Sequence, residues 1–313
     1  MGLTVAYAGT AEFAVPALTA IAGSSHRIAL VITQPDRPAG RGRRPMPSPV
    51  KNSALALGLP LLAPERLDAE FTSALARSAP DALVVVAYGL LIPEPVLALP
   101  RLGGINVHAS LLPRWRGAAP VQRAIEAGDA VTGVAIMRME PTLDTGPLYR
   151  QERVDIADTD TSATLGARLA QCGARLVVSV LDDLEQGAAR MTPQARDGAS
   201  YAAKLRKSEA AIDWRDPAVS IARRIRAFDP WPVASTTLAG VPLRVWAARP
   251  DSEPTPAPPG QILAASGEGI AVATGDGRLW LTRVQLPGRR PVGGGEYVNA
   301  VGRDALVGRV LGT

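Results

Sequence analysis

The stretch Ala82-Leu83-Val84-Val85-Val86-Ala87-Tyr88 is apolar at successive positions, so an extended chain there presents two water-avoiding faces. Such a segment fits the middle of a parallel sheet covered by helices on both sides. The run Leu3 to Gly9 reads as another buried strand, residues 12–22 as the helix after it, with Pro16 tolerated in the first turn, and Ile28 to Thr33 as the next strand. That order opens a parallel α/β sheet. The first turn, Ala8-Gly9-Thr10-Ala11-Glu12, lacks the Gly-x-Gly-x-x-Gly spacing that cradles a pyrophosphate. A dinucleotide-dependent oxidoreductase is therefore the weaker reading of the sheet.

At 313 residues the chain has room for two cores. Helices are expected over 50–57, 68–77 and 161–186, the last introduced by Asp158-Thr159-Asp160-Thr161. Residues 34–49 are too rich in Pro, Gly and Arg for a regular element, and 189–207 is polar and broken by Pro193 and Gly198. These features give a first domain over 1–189, a linker over 190–208 and a second domain over 209–313. In the second, a helix over 217–227 precedes short strands at 243–246, 269–272 and 279–284, the pattern of a small β-barrel. Trp231, Trp246 and Trp280 read as barrel core or hinge rather than as base-stacking platforms.

Charge divides unevenly: 17 Lys/Arg face 18 Asp/Glu over residues 1–189, and 17 face 11 over 190–313. A basic excess in one half suits a polyanionic partner such as RNA, although many basic proteins bind none. The single cysteine, Cys172, rules out an intrachain disulfide and a Cys-rich metal site, and its apolar neighbours at helical spacing make it a core thiol. With two histidines far apart in the sequence, no metal centre is expected. His26, within Ser24-Ser25-His26-Arg27, reads as a solvated surface residue. No segment is long and apolar enough to span a membrane, so a cytoplasmic protein with no membrane partner is expected.

The chemistry concentrates in Gly103 to Pro120, where Ile105-Asn106-Val107-His108 reads as a strand that ends in a Ser/Pro/Gly-rich loop. Side chains two apart on a strand share a face, so Asn106 and His108 stand together as an amide donor and a titratable imidazole. A strand-end Asn and His are often no more than turn and hydrogen-bond residues. Further on, Leu143-Asp144-Thr145-Gly146 adds a carboxylate in a turn, where a lone Asp is commonly a local hydrogen-bond former. Together the three can converge on a carbonyl whose oxygen becomes negative.

Ile105-Asn106-Val107-His108, Ser110-Leu111-Leu112-Pro113 with Arg114-Trp115-Arg116-Gly117-Ala118-Ala119-Pro120, and Leu143-Asp144-Thr145-Gly146 resemble the signature of the folate-dependent formyltransferases. Thr33-Gln34-Pro35-Asp36-Arg37-Pro38-Ala39-Gly40-Arg41-Gly42 resembles one branch of that family, whose acceptor is methionyl-tRNA. The likeness runs from Val5 almost to the C-terminus. One departure is Thr142, where the family often has Gly; a side chain there could restrict the turn that presents Asp144.

The resemblance implies a Rossmann-like parallel-sheet formyltransferase domain followed by a small OB-like β-barrel domain. It implies transfer of the formyl group of 10-formyltetrahydrofolate to the amino group of initiator methionyl-tRNA, with Asn106, His108 and Asp144 catalytic. Folate would lie along Tyr88, Gly89, Leu90, Leu91 and Ile92 and the loop Ser110, Leu111, Leu112 and Pro113. The tRNA would meet Arg37, Arg41, Arg43, Arg44, Arg206 and Lys207, although an Arg-rich loop can also be idle surface. A monomer without metal is expected. A formyltransferase acting on a small amine, and a plain RNA-binding protein on an α/β scaffold, stay open as alternatives.

Overall fold

The computed structural model describes residues 2–39 and 44–312. By mutual contact the chain forms two units, 1–120 with 131–155 and 166–203, and 121–130 with 156–165 and 204–313. The second unit thus takes two excursions out of the first 189 residues, which a contiguous reading of the sequence does not anticipate.

The first unit is built on β1 (Thr4–Gly9), α1 (Val15–Ala22), β2 (Arg27–Ile32), β3 (Arg37–Ala39), β4 (Arg44–Met46), α2 (Pro49–Ala56), β5 (Leu61–Leu62) and α3 (Ala69–Arg77). It continues through β6 (Ala82–Val86), α4 (Glu94–Leu97), β7 (Gly104–His108), β8 (Arg116–Gly117), β9 (Val131–Arg138), β10 (Leu148–Asp155), α6 (Ser162–Glu185) and β11 (Tyr201–Ala202), while α5 (Pro120–Ala127), between β8 and β9 in the chain, belongs apart from Pro120 to the second unit. Seven strands form one sheet in the order β10-β9-β7-β6-β1-β2-β5. β6 is buried along its whole length between β1 and β7, as its two apolar faces require. Asp68 caps α3 by accepting from the Phe71 N–H at 3.1 Å, and Ser48 caps α2 by accepting from Lys51 N–H at 3.0 Å.

The sheet is not wholly parallel. β9 runs antiparallel to β7, and β10 antiparallel to β9. β9 enters the sheet at the end where β7 leaves it, as their antiparallel pairing requires. β10 is an edge strand with an alternating, half-exposed pattern too polar to read as core.

Two local expectations need correction. Residues 37–39 and 44–46 pair as a short antiparallel hairpin, Arg37 with Met46 and Ala39 with Arg44, so the base of the Arg-rich segment is regular. Edge positions tolerate the prolines, which face each other as Pro38 and Pro45. His26 is not solvated: it is 4% exposed and its Nδ1 accepts the Leu3 N–H at 3.1 Å. Nδ1 is therefore the lone-pair nitrogen, and Nε2 bears the proton, 3.3 Å from Asp182 Oδ1. His26, Asp182 and Glu185 bring ligand-type atoms within 4.8 Å of one another, but with this tautomer Nε2 has no lone pair for a cation.

The second unit contains α7 (Ala218–Ala227), β12 (Ser235–Leu238), β13 (Val241–Asp251), β14 (Ile262–Ser266), β15 (Gly269–Ala273), β16 (Arg278–Gln285), β17 (Val292–Gly293) and α8 (Gly294–Val301). The strands form an antiparallel sheet in the order β12-β13-β16-β15-β14, with β17 on β16. The last residues join its two edges: Gly312 N–H donates to Thr237 O at 2.9 Å, and Leu311 N–H to Gly260 O at 2.8 Å. Leu243, Val245, Leu279, Leu281 and Ile221 share its core. Alternation turns Trp280, between the buried Leu279 and Leu281, to the outer face, where Arg249 and Arg278 lie 5.8 and 6.0 Å from its ring. Trp246 is half-buried and bonds Gln285, and Trp231 is 48% exposed, so none of the three is core. The buried tryptophan is Trp214, whose Nε1 donates to Thr236.

Among the described residues no helix is long and apolar enough to cross a membrane.

Candidate active site

β7 ends at the carboxyl edge of the sheet, where loops gather and ligands of α/β sheets bind. Asn106 pairs with Met137 of β9 and His108 with Ala135, and paired residues share a face. Ala135 and Met137 join Leu112 and the flanking Leu148 in an apolar cluster, so the two polar side chains stand on a dry floor. Electrostatic interactions are stronger there than in water.

Asp144 comes to this pair from the turn after β9. It is 9% exposed and sits at φ +52°, in the left-handed region. Its Oδ1 accepts from Asn106 Nδ2 at 3.3 Å, and its Oδ2 accepts from the Gly117 N–H at 2.8 Å and lies 3.6 Å from His108 Nδ1. A left-handed Asp is costly, by about 1–3 kcal/mol, and persists where neighbours hold it. The turn closes at Gly146, where a Cβ would fall 1.8 Å from Arg138 O. That approach explains the Gly after Asp-Thr. Thr142, by contrast, is not at positive φ, so its side chain asks nothing unusual of the backbone.

His108 is buried, and its Nε2 lies 2.8 Å from the carbonyl oxygen of Trp115. A carbonyl only accepts, so Nε2 carries a proton and Nδ1 faces the Asp144 carboxylate. In its charged form the ring donates to both sides. The loop that supplies the Trp115 carbonyl is itself pinned: Ser110 Oγ donates to Arg114 O at 2.6 Å, and Trp115 N–H donates to Ser200 Oγ at 3.0 Å.

The expected folate segments flank this cluster unevenly. Leu90 and Leu91 are 39% and 80% exposed, an apolar surface at the end of β6. Tyr88, past the end of β6, is buried: it shares a core cluster with Phe71 and Leu83, and burial pushes its hydroxyl pKa upward. Its carbonyl accepts from Thr10 Oγ1 at 2.9 Å and Gln34 Nε2 at 2.8 Å, which anchors the turn into Gly89. Ile92 packs against the same core. Leu112 lies in the apolar floor and its carbonyl accepts from Gln151. Leu111 and Pro113 are half-buried beside it.

Of the expected tRNA-binding cations, Arg37 is exposed on the hairpin and Arg44 lies opposite Ala39; Arg41 and Arg43 fall outside the described residues. Lys51, adjacent in sequence, is paired with Asp36 at 2.7 Å. Arg206 and Lys207 are exposed in the second unit.

Sequence reasoning missed the groups that hold the cluster from behind. Residues expected as linker fold onto the site: β11 pairs in parallel with β8, and the Ala202 carbonyl accepts from Ala118 N–H at 2.9 Å. Gln194 bridges Arg116 and the Asp144 turn. A single Gln between Pro193 and Ala195 has no periodicity or spacing by which it could be found.

An α/β sheet with an Asn, His and Asp cluster at its carboxyl edge, joined to an antiparallel barrel-like unit, defines a group-transfer enzyme of the acyl-transferring kind. The formyl transferase profile matches residues 1–181, and the profile of the formyl transferase C-terminal domain matches 204–302. The chain belongs to the formyl transferase family. It is 49% identical to a methionyl-tRNA formyltransferase of Methylococcus capsulatus over 99% of this chain and 100% of that one. It is 50% identical to the enzyme of that name from Stutzerimonas stutzeri, over 99% and 98%. Among solved structures it resembles WlaRD, a sugar 3N-formyl transferase, with a TM-score of 0.65 at 16% identity, covering 93% of this chain and 100% of that one. It also resembles HypX from Aquifex aeolicus, solved with tetrahydrofolic acid, with a TM-score of 0.62 at 17% identity over 96% of this chain and 47% of that one. At those identities the likeness is one of fold.

Proposed function

We propose that this chain transfers the formyl group of 10-formyltetrahydrofolate to the free α-amino group of initiator methionyl-tRNA. The chemistry is carried by one observation: the Asp144 carboxylate accepts from Asn106 and faces His108 Nδ1 above an apolar floor. The acceptor is supported by the near-full-length relatives at about half identity.

The amine nitrogen attacks the formyl carbon, a C–N bond forms, and the carbonyl oxygen becomes an oxyanion. Asn106 has one amide hydrogen on Asp144 and a second to offer that oxygen. His108 offers Nε2–H once the oxyanion replaces the Trp115 carbonyl as its acceptor, while Asp144 faces Nδ1 on the other side of the ring. Asp144, directly or through a water, takes the proton the amine loses and passes it to N10 of the folate as the C–N10 bond breaks. No residue acts as nucleophile, and Cys172 has no part.

The folate lies along residues 88–92 and 110–113 in this reading, Leu90 and Leu91 covering the pterin while Tyr88 and Leu112 support the loops from below. Arg37, Arg41, Arg43 and Arg44 take phosphates of the acceptor stem, with Arg206 and Lys207 as further contacts. The catalytic domain is carried by 1–189 together with the Gln194 and β11 stretch that folds onto it, and the tRNA-binding domain by 209–313; the protein works as a cytoplasmic monomer without metal. The test is a label on the formyl carbon. Supplied with labelled 10-formyltetrahydrofolate and charged initiator tRNA, the protein is expected to move the label onto the methionyl amine; label left on the folate contradicts the proposal.

A further inference from the structure

Gln194 uses every hydrogen-bonding position of its side chain. Nε2 donates to the carbonyl oxygens of Asp144 at 2.9 Å and Gly146 at 2.8 Å, and Oε1 accepts from Arg116 Nε at 3.2 Å and Nη2 at 2.7 Å. Carbonyls only accept and a guanidinium only donates, so the amide has one orientation here and flipping it would break all four bonds.

What the two ends hold matters more than their number. One end fixes the backbone of Asp144 itself, in its left-handed conformation, and the carbonyl of Gly146, where the chain passes against Arg138. The other end fixes Arg116, and the next residue, Gly117, donates its N–H to Asp144 Oδ2 at 2.8 Å. Gly117 is at φ +112° and a Cβ there would lie 2.9 Å from Ala202 O, so β8 passes close against β11 at the residue that makes this bond. Gln194 is thus the side chain that ties the Asp144 turn to the residue next to Gly117, beside the Asn106 bond to Oδ1 and the pairing of β8 with β11.

We propose that Gln194 is a positioning residue for formyl transfer: its amide locks the Asp144 turn to the Arg116–Gly117 strand, so that the carboxylate keeps its place between Asn106 and His108. This rests on the role given to Asp144 above.

Two variants keep the length of the side chain. Gln194→Glu retains an acceptor for Arg116 but, ionised, offers no hydrogen to either carbonyl, and Gln194→Met loses all four bonds. Because displacement of a reacting group by about 1 Å can cost about 100-fold, each variant is expected to lower kcat by about 10- to 100-fold, with both KM values within about twofold. In an Asp144→Asn background, where the charge being positioned is already absent, the same changes should lower kcat by less than about twofold. Melting temperature identifies a variant that does not fold, and if Gln194→Met is one, Gln194→Glu decides. Near-normal kcat in Gln194→Glu, or the full loss persisting beside Asp144→Asn, overturns the proposal. Full turnover in Asp144→Asn alone is the different failure, that of the reading of Asp144, and removes this proposal with it.

Discussion

Asn106 has one amide hydrogen on Asp144 and His108 has its Nε2 on a loop carbonyl, so in the proposed reaction each donor would reach the formyl oxygen from an ordered starting position. Such preorganisation is what makes a donor worth more in the transition state than in the ground state. Asn106→Ala or His108→Ala should therefore lower kcat by about 10²- to 10³-fold while the melting temperature and folate binding are retained. Turnover near the parent value in His108→Ala is the outcome that removes the oxyanion role. Asp144→Asn keeps the shape of the side chain but removes the charge beside His108 Nδ1 and one of the two oxygens that accept from Asn106 and Gly117, so its effect reads the electrostatics and hydrogen bonding of the carboxylate apart from its packing. The expected result is a large drop in kcat with unchanged melting; easier unfolding with normal specific activity would make Asp144 a turn residue.

Elements show where the sequence was informative and where it was not. Strands such as β6 and helices such as α6 were legible because burial on both faces, or on one helical face, writes itself into the order of apolar residues. The Asn106 and His108 pair was legible because a strand's period is two. The direction of β9 was not, since an apolar run has the same pattern read in either direction. His26 escaped for a like reason: polar neighbours in sequence do not reveal that Leu3 and α6 cover it. Gln194 escaped because its partners lie far away along the chain. Cys172, by contrast, is core as its spacing suggested. Burial, and then hydrogen bonding to Glu152, push its thiol up to about 11. About 10⁻³ of it is ionised at pH 8, so iodoacetamide should label the native chain at least ~10-fold more slowly than the chain in guanidinium. Equal rates would place the thiol in solvent.

At the scale of the whole molecule, the question is which acceptor the site serves, since the same three side chains could formylate a tRNA or a small amine. Under the proposal, the Arg-rich segment is where the two acceptors would differ. A tRNA stem releases counterions when arginines neutralise its phosphates, and a small amine does not. Replacing Arg41 and Arg43 together should raise KM for charged tRNA and flatten its salt dependence by up to ~0.9 log unit per lost contact, leaving a short aminoacylated fragment unaffected. Changing Arg206 and Lys207 should weaken tRNA binding without altering the choice between initiator and elongator stems. The most direct measurement offers both acceptor classes in one reaction: 10-formyltetrahydrofolate with equal concentrations of initiator methionyl-tRNA and an amino-sugar nucleotide, each product quantified over time. N-formylmethionyl-tRNA accumulating while the amino sugar stays unmodified, and neither product forming with Asn106→Ala, is the predicted result. Formyl transfer to the amino sugar with the methionyl-tRNA left unchanged would contradict it.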